Sequence, residues 1–416
     1  MELPTLGGLW RHADFLRLWL SETVGAFGRQ VTGLALPTVA ILLLGAGPFE
    51  MGILGALQIL AFPVLGLFVG VWADRWRRRP IMIVANLGRM IALGSIPLAF
   101  VFGVLRLYQL YVVATIVGVF TVFFDVAYQS YLPSLVDRAD LVEGNAKLEV
   151  SQSAAQVAGP AFAGFLIQII GAAKAIAVDA GAFLASAVVL LSIKKPEPKP
   201  SPSSPDSDPS FIGELKEGAQ VVFKNPILTR IAACTATSNL GGSIAFTVFL
   251  IFAYNQLKLT PEIVGIIFAL GSVGLLIGAV VAARVAKGLG LGWTLAIATV
   301  VGGVAVLGVP LALVASPILV LALLQTLGGF GLPLYNINQV SLRQAITPDR
   351  LQGRMNATMR TIVWGTIPVG SFIGGVLGTQ IGVVMTIVIG GAVATLGAAW
   401  ILFGPVISLK ETPTQT

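Results

Sequence analysis

Residues 51–100 read MGILGALQILAFPVLGLFVGVWADRWRRRPIMIVANLGRMIALGSIPLAF. Two apolar runs, residues 50–72 and 80–104, flank a short loop that holds Asp74 and four arginines. A transmembrane helix needs about 20 mostly apolar residues, and basic residues are enriched in loops on the cytoplasmic side of a membrane. The stretch therefore predicts two membrane spans joined by a cytoplasmic loop.

The composition of the whole chain also indicates a membrane protein. Of its 416 residues, 56% are apolar and only 11% are charged, whereas a soluble domain has roughly 45–50% and about 25%. This excludes a soluble enzyme, a nucleic-acid-binding protein and a disordered scaffold. Basic cytoplasmic loops account for the net charge of +7, so no nucleic-acid partner is expected. Cys234 is the only cysteine, which excludes a disulfide framework and a cysteine-rich metal site.

The same search along the full chain predicts an all-α integral membrane protein, with twelve transmembrane helices in two pseudo-symmetric halves of six. The spans have these bounds: 15–44, 50–72, 80–104, 108–128, 147–171, 174–194, 227–254, 262–283, 292–315, 317–341, 354–380 and 383–407. The first run lacks a small-residue cleavage site and is therefore expected to be a retained span.

The hydrophilic stretch between spans six and seven divides the chain. Residues 195–210 (KPEPKPSPSSPDSDPS) have nothing to bury and are predicted to be disordered. Beyond them, apolar residues recur at helical spacing at Phe211, Leu215, Ala219 and Val222. This indicates either a short helix along the inner membrane face or an extension of span seven. The predicted domains are residues 1–194, a linker over 195–225, and residues 226–416.

The distribution of basic residues orients the chain. With the N-terminus in the cytoplasm, most of the 26 Lys and Arg residues fall in cytoplasmic segments. Only Arg106, Lys174 and Lys258 fall in loops on the opposite side. We therefore expect a multi-pass protein of the cell inner (plasma) membrane, with both termini in the cytoplasm.

The two halves repeat each other at an offset of 211 residues. The identical pairs are Asn145-Ala146 with Asn356-Ala357, Gly159 with Gly370, Gly164 with Gly375, and Gly171 with Gly382. These pairs fall in or next to spans five and eleven. An even number of spans per half gives a parallel repeat, for which substrate is expected to bind between the halves near the middle of the membrane.

The loop GVWADRWRRRP, residues 70–80, resembles the major facilitator superfamily signature Gly-x-Leu-Ala-Asp-Arg-x-Gly-Arg-Arg. The candidate gating motif consists of the matching residues Gly70, Asp74, Arg75, Arg78 and Arg79. Ala73 also matches, whereas Trp72 and Arg77 depart from the signature. The resemblance implies that the aspartate meets the inner end of span eleven and helps to hold the cytoplasmic side shut. A carboxylate near a helix N-terminus is stabilised by about 0.3–1 kcal/mol.

Two further stretches resemble exporters of the superfamily. AAQVAGPAFAG in span five is similar to the antiporter motif, through Gly159, Pro160 and Gly164. The alternative is close helix packing by small residues. FFDVAYQSYLPSLV, residues 123–136, looks like the efflux branch that includes macrolide exporters and the enterobactin exporter. One departure is Ala114, near the place of an arginine that many proton-coupled exporters carry in span four.

Five ionisable residues fall inside predicted spans: Glu22, Arg29, Arg89, Asp125 and Asp179. Charges within a membrane are costly, so all five are functional candidates. Glu22 and Arg29 are two helical turns apart and face one way, and by the resemblance spans one and four line the central cavity. A carboxylate withdrawn from water can exchange protons near neutral pH, and an arginine opposes its protonation. Glu22, Asp125 and Arg29 are therefore the predicted proton-coupling residues, with static pairs that fix helix packing as the alternative.

The second half has no carboxylate inside a predicted span, so proton handling is expected in the first half alone. Its neutral polar and aromatic residues form the predicted substrate cavity: Asn239, Gln325, Tyr335, Asn336 and Trp364. Such a cavity suits a bulky, mostly apolar molecule held by a few hydrogen bonds. His12 is the only histidine and no phosphate-binding loop is present, so neither an enzyme nor ATP-driven transport is expected.

The sequence thus predicts a secondary active transporter that exports amphipathic drugs or other hydrophobic molecules by proton-coupled alternating access. A dedicated exporter of one metabolite, such as a siderophore or lipid, is the alternative. A membrane sensor that does not transport is a more remote one. The expected partners are a small-molecule substrate, protons and the lipid bilayer. The protein is expected to act as a monomer without a cofactor or metal.

Overall fold

The computed structural model describes residues 8–197 and 211–411, without the side chains of residues 67, 68, 70–75, 211, 212, 214 and 215. Within these ranges the chain forms helices and no strand. The helices are α1 (Ala13–Thr38), α2 (Pro48–Arg75), α3 (Arg78–Val101), α4 (Leu107–Leu135), α5 (Leu141–Ile170), α6 (Ala172–Leu191), α7 (Phe211–Lys224), α8 (Pro226–Ile251), α9 (Pro261–Leu289), α10 (Leu291–Leu307), α11 (Pro317–Ile346), α12 (Asp349–Gln380), α13 (Val383–Leu396) and α14 (Ala399–Leu402).

In the described part of the chain, 12 helical segments are long and apolar enough to cross a membrane. This confirms the prediction of twelve spans. The first six spans are α1–α6 and the last six run from α8 to α14, with α13 and α14 together forming the twelfth. The fourth and fifth spans are longer than predicted, because Leu107–Leu135 and Arg138–Ile170 continue as helix beyond their apolar stretches.

Proline and capping residues decide where several helices begin. Pro226, Pro261 and Pro317 each occupy the first turn of a helix, where proline costs no intrahelical hydrogen bond. Asn225 caps α8, since its Oδ1 accepts hydrogen bonds from the backbone N–H groups of Ile227 (2.9 Å) and Leu228 (3.2 Å). This cap separates α7 from α8.

The chain forms two compact units, and the first holds most of the N-terminal half. Unit 1 comprises Met1–Leu44 and Leu60–Ser203. Within it α6 packs against α1 and α3, while α3 also packs against α4 and α1 against α5. Its core includes the fully buried side chains of Phe15, Leu18 and Tyr131. This packing fixes which faces of α1, α3, α4 and α6 point toward one another.

Unit 2 comprises Gly45–Ile59 and Ser204–Thr416, so the first part of α2 belongs to it by its contacts. A Cβ atom on Gly52 would lie 2.8 Å from the Cα atom of Gly375 in α12, so only glycine permits this approach. In the rest of the unit α8 packs against α12 and α13, and α11 against α9 and α10. The predicted domain bounds remain a prediction.

Helix α7 is a separate element of unit 2 that packs against α12 and α8. Val222 is buried with Leu228 of α8 and Met355 of α12. The alternative in which this segment extends span seven is therefore wrong, because the Asn225 cap begins a new helix. Its position along a membrane face remains a prediction.

The sequence repeat has structural counterparts in the two units. Gly171 and Gly382 both have φ near +85° and directly precede α6 and α13. The first and seventh spans both end in a five-residue π-helical segment, Val39–Leu43 and Phe252–Gln256 respectively. The matching residues thus occupy matching turns.

Candidate functional site

Helix α1 places Glu22 and Arg29 on one face, and the two side chains meet. Arg29 Nη2 lies 3.6 Å from Glu22 Oε2, with 26% and 10% of the respective side chains exposed. A Cβ atom on the intervening Gly25 would lie 3.4 Å from Arg29 Nη1, so glycine leaves room for the arginine to lie along the helix. Arg29 also donates a hydrogen bond to Gln152 of α5 at 3.3 Å. The Glu22–Arg29 pair therefore has a second acceptor within reach.

Asp125 belongs to the same electrostatic group. It is half-buried on α4. Its charge interacts with those of Glu22 on α1 and Arg89 on α3. The structure thus brings the three predicted proton-coupling residues into one interacting set within unit 1.

Arg89 of α3 is a fully buried cation in this set. Its guanidinium carbon lies 4.4 Å from the ring centre of Phe124 and 4.3 Å from that of Phe183. Cation–π contacts of this kind partly replace the lost hydration. The guanidinium also donates a hydrogen bond to Asn86, one turn earlier on α3.

A chain of hydrogen bonds continues from Asn86 across the helix interfaces. Asn86 Nδ2 donates to Ser186 Oγ of α6 at 2.7 Å, and Ser186 Oγ lies 2.6 Å from Ser21 Oγ of α1. All three side chains are buried. Buried polar groups need such partners, so this chain links α3, α6 and α1.

Asp179 of α6 is fully buried near these charged residues. Its Oδ2 accepts a hydrogen bond from Thr32 of α1, and its Oδ1 lies against Gly28, where a Cβ atom would overlap it. The charge of Asp179 interacts with those of Arg89 and Arg29. We call the five groups Glu22, Arg29, Arg89, Asp125 and Asp179 the buried charge cluster.

The buried charge cluster is not fully hydrogen-bonded. Glu22 Oε1, Asp179 Oδ1 and the Nε and Nη1 atoms of Arg89 have no hydrogen-bond partner among the residues that the structure describes. Unsatisfied buried charges are costly in a fixed structure and mark places where a proton or a rearrangement alters the balance. A bound proton or a change of hydrogen-bond partner at these atoms would therefore change the energy of the cluster.

The described part of the gating motif makes contacts within unit 1. Arg79 donates from Nε to the carbonyl oxygen of Leu190 (2.9 Å) and from Nη2 to that of Leu191 (2.7 Å), which caps the C-terminus of α6. Glu197 accepts hydrogen bonds from the backbone N–H groups of Arg78 (2.6 Å) and Arg79 (3.1 Å), and so caps α3. The surroundings of Gly70 and the side chains of Asp74 and Arg75 lie outside the description, so the brace on span eleven stays a prediction.

The first residues of the central linker are bound to α1 by hydrogen bonds. Asp14 of α1 accepts hydrogen bonds from the backbone N–H groups of Lys194 (3.0 Å) and Lys195 (2.9 Å). The prediction of disorder is therefore wrong for residues 195–197. Asp14 accepts a hydrogen bond from the first of these residues, and the carboxylate of the last, Glu197, accepts hydrogen bonds from α3. Residues 198–210 lie outside the described residues.

The antiporter-like motif lies at the interface of α5 with α1. Gly159 is buried, and a Cβ atom there would lie 2.8 Å from the Cβ atom of Gln30. Gly164 is buried and Pro160 lies inside the continuous helix α5. The geometry accords with close packing by small residues, and the antiporter role remains a prediction.

The predicted substrate-cavity residues have different surroundings in unit 2. Tyr335 is buried in a core, and its hydroxyl lies 2.7 Å from Thr235 Oγ1. Asn239 donates to the carbonyl oxygen of Val363 at 3.2 Å, and Gln325 lines a cavity of about 100 Å³ with Phe246 and Phe249. Asn336 and Trp364 are exposed. The contacts that the structure describes do not bring these five residues together, and their role in binding stays a prediction.

Unit 1 also has an apolar groove of about 620 Å³ between α3 and α4, which the sequence did not indicate. Its lining includes Val84, Phe120 and Phe123, together with Trp76 and Arg77. The aromatic residues that form it are separated by about one turn on α4, but that spacing is common to any apolar span.

Comparison with known sequences decides the family. The family model of the Major Facilitator Superfamily matches residues 18–254 and 231–415. The chain belongs to the Major Facilitator Superfamily. The resemblance seen in the loop over residues 70–80 is thereby confirmed, and the chain is a multi-pass membrane transporter and not an enzyme.

Relatives within the superfamily include efflux proteins. The chain is 27% identical over 271 residues to an uncharacterized MFS-type transporter, YfiS of Bacillus subtilis, a match that covers 65% of this chain and 63% of that protein. It is 25% identical over 380 residues to the multidrug efflux pump Tap of Mycolicibacterium fortuitum, covering 88% and 89%. It is 24% identical over 428 residues to the enterobactin exporter EntS of Salmonella typhimurium, covering 99% and 97%.

Solved structures of superfamily transporters share the fold. The nucleoside transporter NupG matches with a TM-score of 0.73 at 13% identity, covering 94% of this chain and 98% of NupG. Similarity at this level of identity carries the fold and not the substrate.

Sequence reasoning located every member of the buried charge cluster but grouped only three of them. Arg89 and Asp179 were missed as partners because they lie on α3 and α6, and no sequence spacing relates those helices. One usable signal is that Asn86 and Arg89 are one turn apart on an otherwise apolar helix, which predicts a polar partner on a neighbouring span.

Proposed function

We propose that this superfamily transporter exports amphipathic small molecules across the plasma membrane by proton-coupled alternating access. The observation that carries the proposal is the pair formed by the buried Glu22 and the partly exposed Arg29 at 3.6 Å, within a set of charges on four helices of unit 1. Intramembrane charges are expensive, and a pair with one unsatisfied carboxylate oxygen can change protonation state.

The exchange of partners at Arg29 supports a coupling step. When Glu22 is ionised, its attraction holds Arg29. A proton on Glu22 removes that attraction, and Arg29 can then move to Gln152, which it already contacts at 3.3 Å. Desolvation favours the protonated carboxyl group and Arg29 favours the ionised one, so small movements change proton affinity. Asp125 acts on the same balance through its charge.

The character of the exported molecule is inferred from unit 2 and from the relatives. The second half offers neutral side chains such as Asn239 and Gln325, which suit a mostly apolar molecule that makes a few hydrogen bonds. The multidrug efflux pump Tap matches 88% of the chain and accords with a broad substrate range.

A dedicated metabolite exporter is the second candidate. The match to the enterobactin exporter covers 99% of this chain, more than the match to Tap. A siderophore is also a bulky molecule, but it offers little apolar surface for a protein to bind. Unit 2 would therefore need additional polar contacts to bind it.

We infer the orientation from the basic loops, which place both termini in the cytoplasm. The protein is proposed to act as a monomer. In this orientation the Glu197 and Asp14 contacts lie at the cytoplasmic end of unit 1.

Transport in proteoliposomes tests the proposal. Purified protein would be reconstituted with an imposed pH gradient or sodium gradient, and uphill movement would be followed for a cationic dye, a macrolide and a siderophore. Export of the dye or macrolide driven by the pH gradient alone is the expected result. Movement of the siderophore only would favour the dedicated exporter, and movement driven only by sodium would exclude proton coupling.

A further inference from the structure

The guanidinium group of Arg89 lies in surroundings that provide little hydrogen bonding. Its side chain is fully buried between the rings of Phe124 and Phe183, and only its bond to Asn86 is made among the described residues. A buried cation of this kind is stable only if negative charge lies close to it. The charges of Glu22, Asp125 and Asp179 all act on Arg89, so the cation and the carboxylates influence one another through their fields.

The charges that face Arg89 come from every helix around it. Helix α1 supplies Glu22 and Arg29, α4 supplies Asp125, and α6 supplies Asp179. Helix α5 contributes the neutral side chain of Gln152, which accepts from Arg29. The buried charge cluster therefore contains three carboxylates and two guanidinium groups.

The surroundings of Asp179 show why the net charge of the cluster matters. One of its oxygens accepts from Thr32, and the other is buried without a partner among the described residues. In the ionised form that second oxygen would carry charge in an apolar contact with α1. Glu22, Arg89 and Asp179 are the buried members of the cluster, and their net charge of −1 in surroundings of low polarity is costly. One bound proton cancels it, while the partly exposed Arg29 and Asp125 balance each other.

We propose that Arg89 is a fixed counter-charge that limits the carboxylates of the buried charge cluster to one bound proton. This inference rests on the proposed proton coupling, and it adds Arg89 and Asp179 to the residues that determine it. Arg89 is a positioning residue here, because it acts on the carboxylates through its charge. The proton is shared within the cluster and is not assigned to one carboxylate.

Charge counting gives a different proton load for each variant. Removal of the cation in Arg89→Gln leaves three carboxylates with one guanidinium, so two protons are expected. Asp179→Asn leaves two of each, so none is expected. The double variant Arg89→Gln with Asp179→Asn restores one, and Arg89→Lys keeps one because it keeps the charge.

Infrared spectroscopy measures this load, because a protonated carboxyl group has a carbonyl stretching band that a carboxylate lacks. Each variant would be purified, reconstituted in lipid vesicles and recorded near neutral pH, with the band scaled to the amide signal. Relative to the wild type, we expect about twice the band for Arg89→Gln, loss of it for Asp179→Asn, and the wild-type band for the double variant and for Arg89→Lys.

The variants differ in folding risk, and the set allows for it. If Arg89→Gln does not fold, Asp179→Asn and Arg89→Lys still test the count, and circular dichroism and gel filtration check each preparation. A wild-type band in Asp179→Asn, or an unchanged band in a folded Arg89→Gln, would overturn the inference. If those bands were unchanged while pH-driven export persisted, the proposed function would stand. The expected bands without pH-driven export would overturn coupling and leave the proton load intact.

Discussion

Units 1 and 2 share matching turns but hold their helices together with different chemistry. In unit 1 the interface of α3 with α6 contains Asn86 and Ser186, next to the fully buried Arg89. In unit 2 the interface of α9 with α11 is formed by glycines, and a Cβ atom on Gly274 would overlap the carbonyl oxygen of Thr326. The duplicated scaffold therefore does not require charge.

The polar groups inside the two units also differ in how far they depend on one another. In unit 2 the hydroxyl of Tyr335 is satisfied by a neutral neighbour, Thr235, at 2.7 Å. The groups of the buried charge cluster depend on one another across four helices, so a change at one alters the others. Proton chemistry is expected in the unit whose interior is coupled in this way.

The largest expected effect is on transport. Glu22→Gln should abolish export driven by a pH gradient, because no proton can then release Arg29. Tyr335→Phe in unit 2 removes the hydrogen bonds of the hydroxyl to Thr235 and to the carbonyl oxygen of Ile231, each worth about 0.5–1.5 kcal/mol, and removes no charge. Its rate can fall if the hydroxyl binds substrate, but the export should still be driven by the pH gradient. Dye efflux from proteoliposomes measures both, and Glu149→Gln on the exposed face of α5 serves as a charge-matched control.

Full pH-driven export by Glu22→Gln would contradict the assignment of proton coupling to unit 1. Loss of it in both Glu22→Gln and Tyr335→Phe would remove the distinction between the units. Asp125→Asn provides a second test at a separate helix, and we expect it to behave as Glu22→Gln does.

Helix packing gives the next effect. Gly274→Ala should destabilise the protein by about 3 kcal/mol, because its new Cβ atom would meet backbone of α11 that has no room to move. Gly94→Ala on α3 is the matched control in unit 1, since its Cβ atom would lie 3.9 Å from that of Ala180, an ordinary contact. The thermal unfolding of purified protein in detergent measures both. Equal unfolding temperatures for the two variants would contradict the glycine packing described for unit 2.

The sequence predicted the twelve spans because each needs only length and apolar composition. It also placed Glu22 and Arg29 on one face, because a seven-residue separation is two helical turns. It could not join Arg89 to Asp179, since the contacts between α3 and α6 link residues about 100 positions apart, as Asn86 and Ser186 are. Glu197 was missed for a different reason. Its proline-rich surroundings indicate disorder, and only the folded structure places it at the N-terminus of α3.

The repeated turns predict equal effects in the two units. Gly171 and Gly382 both have φ near +85°, with nothing within 4 Å of a Cβ atom. Replacement of either by alanine should cost on the order of 2 kcal/mol from backbone strain alone. Chemical denaturation of the two variants under one condition tests this. A clear difference between them would show that the turns are not equivalent.

The smallest effect compares two carboxylates near the linker. Glu197 is almost fully buried and accepts from two backbone N–H groups at 2.6 and 3.1 Å, whereas Glu217 is partly exposed and forms an ion pair with Arg354. Glu197→Ala should cost about 1 kcal/mol, the usual value of a helix N-cap, because it leaves the start of α3 unsatisfied. Glu217→Ala should cost less, about 0.5 kcal/mol or below, since water screens an exposed pair. Hydrogen exchange at the first turn of α3, read by mass spectrometry, would locate the effect: it should rise in Glu197→Ala and stay unchanged in Glu217→Ala. If exchange there were the same in both variants, Glu197 would not be the cap that the structure indicates, and the start of the linker would be bound only by Asp14 at Lys194 and Lys195.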